Sequence, residues 1–425
     1  MLHSAHAAGS DGCRDPSVLP VKDQSRLIEE LLRLRLDTIL PVAMERADLD
    51  MWIILCQEDD PDPVFRTMIP MDCWNPILQM LVFVRESDGR YRRYNISGTD
   101  TRDLYERPYI GQIEERQWQA LVDLVAQRDP ETIGINTGTV AWAAGGLTHN
   151  LYLQLVRHLP ETYAARLVSA EPAAVHWSAT LTDREIDVYA HVMEIAHSII
   201  ADCFSRATII PGVSTIDDLV WHYWQHAVDR GLEIAFRPYF RIIRNESAVP
   251  ASDTVVRPGD IVHCDVGIKH LRLNTDNQHL VYVLLPGETG APEGLRLLMA
   301  QTNRLQDIFM SEFRLGLTGN EILQTVLSRA TDEGIAEPRV YSHSLGLFLH
   351  QPGPLIGLPW EQEKALPRGE TQLEYNSAFA MELSTSAIVP EWNGQSVTLW
   401  MEEPVVFTEA GCRTVIDRQT EFYLV

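Results

Sequence analysis

Residues 264–280 read CDVGIKHLRLNTDNQHL, and the acids in this stretch give the first sign of chemistry. Asp265 and Asp276 stand eleven positions apart, each set in apolar, strand-like sequence. An ionised carboxylate in a protein interior is costly unless it meets a partner or a metal ion. Further on, YSHSLGLFLHQPGP (341–354) holds His343 and His350, seven apart around a glycine. That spacing is two helical turns, or one histidine on each side of a loop. SAFAMELST (377–385) places Glu382 inside an apolar strand, and VTLWMEEPVVFT (397–408) places Glu402 and Glu403 between two apolar runs. Charged side chains are almost never fully buried unpaired. Each of these residues alone has an ordinary reading, as an edge-strand acid or a core histidine. Together, two aspartates, two glutamates and one histidine form an oxygen-rich set with a single nitrogen, which suits two divalent ions of the Mn, Co or Zn kind. Repulsion among four carboxylates is severe without cations, so the set itself predicts metal. Two such ions lower the pKa of a shared water and polarise a substrate carbonyl, which is metal-assisted hydrolysis.

The elements that must position these residues follow from patterning. PGDIVHCDVG (258–267) reads as a turn and a strand, and LNTDNQHLVYVLL (273–285) as a second strand; paired antiparallel, they let the two aspartates face each other across a bend. Upstream, Thr182 and Glu185 form a capping box opening a long helix to about Arg206. PGVSTIDDLVWHYWQHAVDRG gives a second helix, capped by Ser214 or Thr215 and closed by Gly231. A helical pair lies around 292–312 and 318–333. The earlier part alternates: a helix from Gln24, a strand at LDMWIILC (49–56), strands QMLVFVRE and RYRRYNIS joined at SDGR, a helix over 115–127, a strand at TIGINTG and a helix over 147–158. This alternation predicts an α/β domain over 25–172 after a loose arm of residues 1–24. AEPAAVHWSATLTDREIDVY (170–189) is the junction to a second domain over 180–425.

Bulk properties narrow the function classes. A chain of 425 residues exceeds one usual core, so two domains are expected. Hydrophobic residues make up 45%, ordinary for a globular protein. The formal charge of -24 argues against nucleic acid and against anionic membrane surfaces as partners. No apolar run reaches the length of a membrane span. The start, MLHSAHAAGSDGCRDP, lacks an apolar h-region, so no signal peptide is assigned. Six cysteines without a CxxC pair fit reduced thiols in the cytoplasm, with the periplasm the lesser alternative; Cys264 reads as a small strand residue. Neither a P-loop nor a GxGxxG is present.

The order Asp-x10-Asp, His-x6-His, Glu, Glu resembles the pita-bread metallopeptidases, a family that includes aminopeptidase P, prolidase and methionine aminopeptidase. GDIVHCDVG (259–267) is similar to the family's GDxVxxDxG element, HSLGLFLHQPG (343–353) to its HGxGLxxHExP motif, and FAMEL and WMEEPVVFTEAG to its two glutamate strands. The likeness runs over roughly the last 250 residues. The first domain is similar, through MWII, GIN and GGLT, to the creatinase/prolidase-type amino-terminal domain, a plan that points to the Xaa-Pro group. The resemblance implies an α+β pita-bread fold for the second domain. It implies Asp265, Asp276, His343, Glu382 and Glu402 as ligands of two divalent ions, Mn first and Co or Zn as alternatives. Glu382 would also be the general base toward a metal-bridging hydroxide, and His350 would donate to the tetrahedral intermediate. Glu403 would orient the last ligand. Small peptides would be the substrates and a homodimer the assembly. Three positions depart from the pattern: Ala248 where an upstream histidine is usual, Arg339 four residues before His343, and Gln278 where Asp-x-Thr is usual. These departures keep open a creatinase-like C–N hydrolase or a lyase on the same scaffold.

Overall fold

The computed structural model describes residues 16–139, 142–245, 250 and 252–425. The first half is built on β1 (Met51–Gln57), β2 (Leu78–Arg85), β3 (Tyr91–Ile96), β4 (Glu106–Tyr109), β5 (Ile133–Ile135) and β6 (Leu167–Ser169). Their order across the sheet is β4-β3-β2-β1-β5-β6. The apolar run of β1 is buried on both faces because helices cover both sides of the sheet. The helices are α1 (Val21–Arg46), α2 (Pro63–Thr67), α3 (Glu114–Arg128), α4 (His149–His158), α5 (Glu161–Ala164) and α6 (Glu171–Ala179). On one face α1 and α6 bring Leu32, Leu36, Ala173 and Trp177 against Trp52 and Phe83. On the other, α3 and α4 bring Trp118, Leu121, Leu151 and Leu155 against Ile53 and Val82. SDGR turns as expected, with Gly89 at φ 81°.

The second half opens with α7 (Asp183–Cys203) and α8 (Ile216–Asp229). Both start in capping boxes, Thr182 with Glu185 and Thr215 with Asp218. Strands follow: β7 (Glu233–Ile234), β8 (Tyr239–Ile243), β9 (Ile261–Val266), β10 (Ile268–His270), β11 (Leu273–Asn274) and β12 (Asn277–Tyr282). Then come α9 (Glu293–Ser311) and α10 (Gly319–Asp332), and after them β13 (Arg339–Leu345), β14 (Leu355–Ile356), β15 (Ser377–Val389), β16 (Gln395–Thr408), β17 (Gly411–Thr414) and β18 (Tyr423–Leu424). The main sheet runs β14-β13-β15-β16-β12-β9-β8, with β17 on β16 and β18 on β12, and β11-β10-β7 form a small separate sheet. Helices α7 and α8 share one core with β9 and β12, while α9 and α10 cover β15 and β16. This is the α+β second half expected beside an α/β first half.

Three boundaries differ from expectation. The helix expected from Gln24 begins at Val21, so the loose arm is shorter than residues 1–24; its first fifteen residues lie outside the described ones. Helix α7 stops at Cys203 rather than near Arg206. The single strand expected over 273–285 is two pieces, because Leu273 and Asn274 pair with β10 while residues from Asn277 pair with β9. Asp276 sits at the junction. The halves are joined by Arg35 of α1, whose guanidinium donates to Glu185 at 2.9 Å and to the Thr180 carbonyl at 2.9 Å, and lies 4.5 Å over the Trp177 ring.

Candidate metal centre

Strand register brings the acids together. Across the main sheet, Tyr239 opposes Asp265, Asp265 opposes Gln278, Gln278 opposes Glu402, Glu402 opposes Glu382, and Glu382 opposes Tyr341. Directly opposed residues share a face and sit about 5 Å apart at Cβ. Six side chains from β8, β9, β12, β16, β15 and β13 therefore form one rung on one face. Side chains alternate along a strand, so His343, two residues after Tyr341, lies on that face as well. Asp276 enters from just before β12, its Oδ2 at 3.4 Å from His343 Nε2. Ligand atoms of Asp265, Asp276 and Glu402 lie within 4.8 Å of one another, as do those of Asp276, His343 and His350.

Local sequence makes this closure possible. Gly267, the last residue of GDIVHCDVG, runs so close to the returning chain that a Cβ would fall 2.2 Å from the Thr275 carbonyl oxygen. Thr275 donates its N–H to the Ile268 carbonyl at 2.9 Å, and its hydroxyl accepts from the Ile268 N–H at 3.0 Å. The turn is thereby clamped with Asp265 and Asp276 at its two mouths.

Electrostatics show the strain of the acid set. Burial, only partly relieved by the Arg241 charge, pushes Asp265 up to about 6. Burial and the Asp265 charge push Glu382 up to about 7, against the pull of Gln278 and Arg241. Asp276 and Glu402 are raised well above the carboxylate range, first by burial and then by the neighbouring acids. Cations are the natural relief for such a cluster. The donor set fits them: Glu402 Oε1 is buried with no hydrogen-bond partner. His343 fits too, since its Nδ1 lies 3.3 Å from the Ser344 carbonyl; donation there leaves the Nε2 lone pair facing Asp276. Burial, with His350 and Arg368 nearby, holds His343 at about 3, neutral and free to ligate.

Each expected site residue therefore has a place. Asp265, Asp276, His343, Glu382 and Glu402 converge on the one face. His343 lies in β13 and His350 at the far end of the bend that follows it, so the spacing is not that of two helical turns, and the rings meet edge-on with centres 4.3 Å apart. A cavity of about 490 Å³, lined by Ile234, Lys269, Asn274, Phe348 and Leu349, opens on His350. Glu403 points to the other face, where it accepts from Asn277 at 3.0 Å and from the Gln419 N–H at 3.3 Å, with His197 at 3.0 Å and His279 at 2.5 Å. Burial would raise this acid, but the two imidazoles bring it down to about 2. Arg339 is exposed at the strand end and bonds the Pro359 carbonyl; Ala248 lies outside the described residues.

Sequence reasoning missed three participants, His263, Arg241 and Arg368. His263 lies 2.8 Å from Gln278 Oε1, and Gln278 Nε2 donates to Glu402 Oε2 at 2.9 Å, so the departure at Gln278 is part of the ligand scaffold. Arg241, two residues from Tyr239 in β8, is partly buried beside Asp265 and Glu382. Arg368 donates to the Gln351 and Gly353 carbonyls, its charge acts on both His343 and His350, and it has no carboxylate partner among the described residues. A charge in a segment with no periodic pattern carries no sequence signal of where it points.

Known structures share this plan. An X-Pro aminopeptidase from Thermotoga maritima MSB8 matches over 90% of this chain and 99% of its own, with a TM-score of 0.65 and 17% identity. An Xaa-Pro dipeptidase from Bacillus anthracis matches over 94% and 100%, with a TM-score of 0.62 and 16% identity. The dipeptidase PepE from Mycobacterium ulcerans matches over 93% and 98%, with a TM-score of 0.63 and 17% identity. At such identities the likeness is one of fold. No curated protein matches the sequence. Residues 191–409, more than half of the chain and a span holding all five converging side chains, match the description Metallopeptidase family M24. The chain belongs to that metallopeptidase family.

Proposed function

We propose that this metallopeptidase hydrolyses Xaa-Pro bonds, as an aminopeptidase or dipeptidase, with two divalent ions held by Asp265, Asp276, His343, Glu382 and Glu402. The observation carrying this reading is the single rung Asp265–Gln278–Glu402–Glu382 with Asp276 and His343 beside it. Bound there, two ions such as Mn²⁺ would supply Lewis acidity and an activated water. Glu382 accepts the proton of the attacking water. His350, whose solvent-open imidazole is tilted toward the neutral form by partial desolvation and by the Arg368 charge, donates to the oxygen that gains charge as the carbonyl is attacked. Arg368 offers its guanidinium to the free carboxylate of a short peptide, which supports the dipeptidase form. Gln278 holds Glu402, and Glu403 with its two imidazoles fixes the same strand from behind.

Metal content after chelator-free purification, followed by Mn loading and a panel of Xaa-Pro dipeptides and tripeptides, tests the reading. Near two ions per chain and Mn-dependent turnover are expected. Less than one ion, with no gain on loading, sinks it. The amide of Gln278 inside the rung favours one second reading, a C–N hydrolase or lyase on this scaffold; turnover of any Xaa-Pro bond disposes of it.

The wider reading has residues 25–172 and 180–425 as two domains, with α6 and most of the buried face of α1 on the first core, and α7 and α8 on the second, where Ile28 of α1 also packs. Cytoplasmic residence is supported by Cys56, Cys73, Cys203, Cys264 and Cys412 all being free thiols. Among the described residues no helix is long and apolar enough to cross a membrane. A homodimer, proposed from the family likeness, is tested by light scattering of the full chain.

A further inference from the structure

A second cluster of metal-ligating side chains lies away from the rung, where α7 ends and α8 passes it. His222 and His226 are four residues apart on α8, so their rings stand on the same helix face. Asp202, in the last turn of α7, points at both. Its Oδ2 lies 2.6 Å from His222 Nε2 and 3.2 Å from His226 Nδ1. Two imidazole nitrogens thus converge on one carboxylate oxygen, and all three ligand atoms fall within 4.8 Å of one another. In a tetrahedral site with bonds of about 2.1 Å, neighbouring ligand atoms stand roughly 3.4 Å apart. Small side-chain rotations turn the observed arrangement into that one. The three side chains are 40%, 26% and 43% exposed for His222, His226 and Asp202, which leaves a side open for water as a fourth ligand.

We propose that Asp202, His222 and His226 form a separate structural site for one transition-metal ion. Two nitrogens and one oxygen select zinc, copper or nickel over magnesium, calcium or manganese, the reverse of the oxygen-rich rung. A further histidine–acid cluster among the described residues, His197 and His279 around Glu403, is a different case. There the carboxylate also accepts from Asn277 and the Gln419 N–H, so its oxygens are already engaged by donors. Around Asp202 Oδ2 the close polar neighbours are the imidazoles themselves, with the Thr208 hydroxyl 3.4 Å from His222 Nε2. An ion here ties the end of α7 to α8 and closes the segment 204–215 between them. It requires nothing of the peptidase reading.

The test compares the full-length chain, stripped with chelator and re-equilibrated with Zn²⁺, with the His222→Ala/His226→Ala variant. The wild type should hold one zinc more per chain than the variant, with Mn-supported activity equal in both. A matching experiment adds one equivalent of Cu²⁺ to Mn-loaded protein. Its electron paramagnetic resonance spectrum should show coupling to two imidazole nitrogens, and His222→Gln, which keeps a polar side chain on the helix, should remove one of them. Equal zinc content in wild type and variant, or a copper spectrum indifferent to His222→Gln, overturns the proposal. Because the zinc reading is a difference between two proteins, it stands whether or not the rung binds metal.

Discussion

Gln278 is the residue whose chemistry separates this chain from its family pattern, and it lies in the middle of the ligand rung. Its amide links neutral His263, held at about 3 by burial, to Glu402 Oε2, leaving the other Glu402 oxygen free. Partners that orient ligands of this kind are worth about 10- to 100-fold in metal affinity. Gln278→Leu should therefore weaken metal binding by that order while activity returns at high Mn²⁺, read by titrating activity against free metal. Unchanged metal dependence would remove Gln278 from the scaffold. Arg368 makes a separate prediction, because a hydrogen bond to a charged group contributes about 1.5–3 kcal/mol. Arg368→Ala should raise KM for an Xaa-Pro dipeptide roughly tenfold or more. The same change should leave the carboxyl-terminal amide of that peptide nearly untouched. An equal loss on both substrates assigns Arg368 a structural role only.

At the scale of elements, the acids were legible because a charge inside an apolar strand breaks its pattern. The Thr182–Glu185 capping box was legible because it is local, whereas at the start of α8 the sequence left Ser214 and Thr215 open and the box formed by Thr215 with Asp218 was not read. Register was not. The rung joins β9 and β12 to β15 and β16, more than a hundred residues away in sequence, and no local signal says which residues oppose one another. The split of the 273–285 strand was hidden too, since its first pair serves a different sheet. Arg35 shows the same limit within a helix: its spacing in α1 resembles that of a solvated cation, yet it is buried against Glu185, the N3 residue of α7. Removing one member of a buried pair costs about 3–5 kcal/mol, because the other charge stays behind. Arg35→Leu should lower unfolding stability by that order, and Arg35→Leu/Glu185→Leu should recover part of the loss. A double variant no better than the single one in denaturant melts would show that packing on Trp177, rather than the charge pair, ties α1 to α7.

For the whole molecule, metal and pH act on the same balance. Burial lowers His176 to about 4, His263 to about 3 and His270 to about 4, below the value of about 6.5 in an unfolded chain. Below about 6.5 the unfolded chain binds protons that the folded chain refuses, so stability is lost as pH falls toward 4. Asp265 at about 6 and Glu382 at about 7 run the other way, being raised above their unfolded values. Their contribution is present at low pH and disappears as pH rises through those values. In chelated protein the two trends oppose each other, and Tm should vary little between about pH 5 and 7. Bound divalent ions keep the acids ionised, which removes the second trend and adds stabilisation through binding to the folded state alone. Metal-loaded protein should then melt higher as pH rises, and the gap between loaded and chelated Tm should widen from about pH 5 to 8. Calorimetry in EDTA and in Mn²⁺ across that range measures it. A gap that stays constant or narrows would mean that the ions do not bind where the four carboxylates meet.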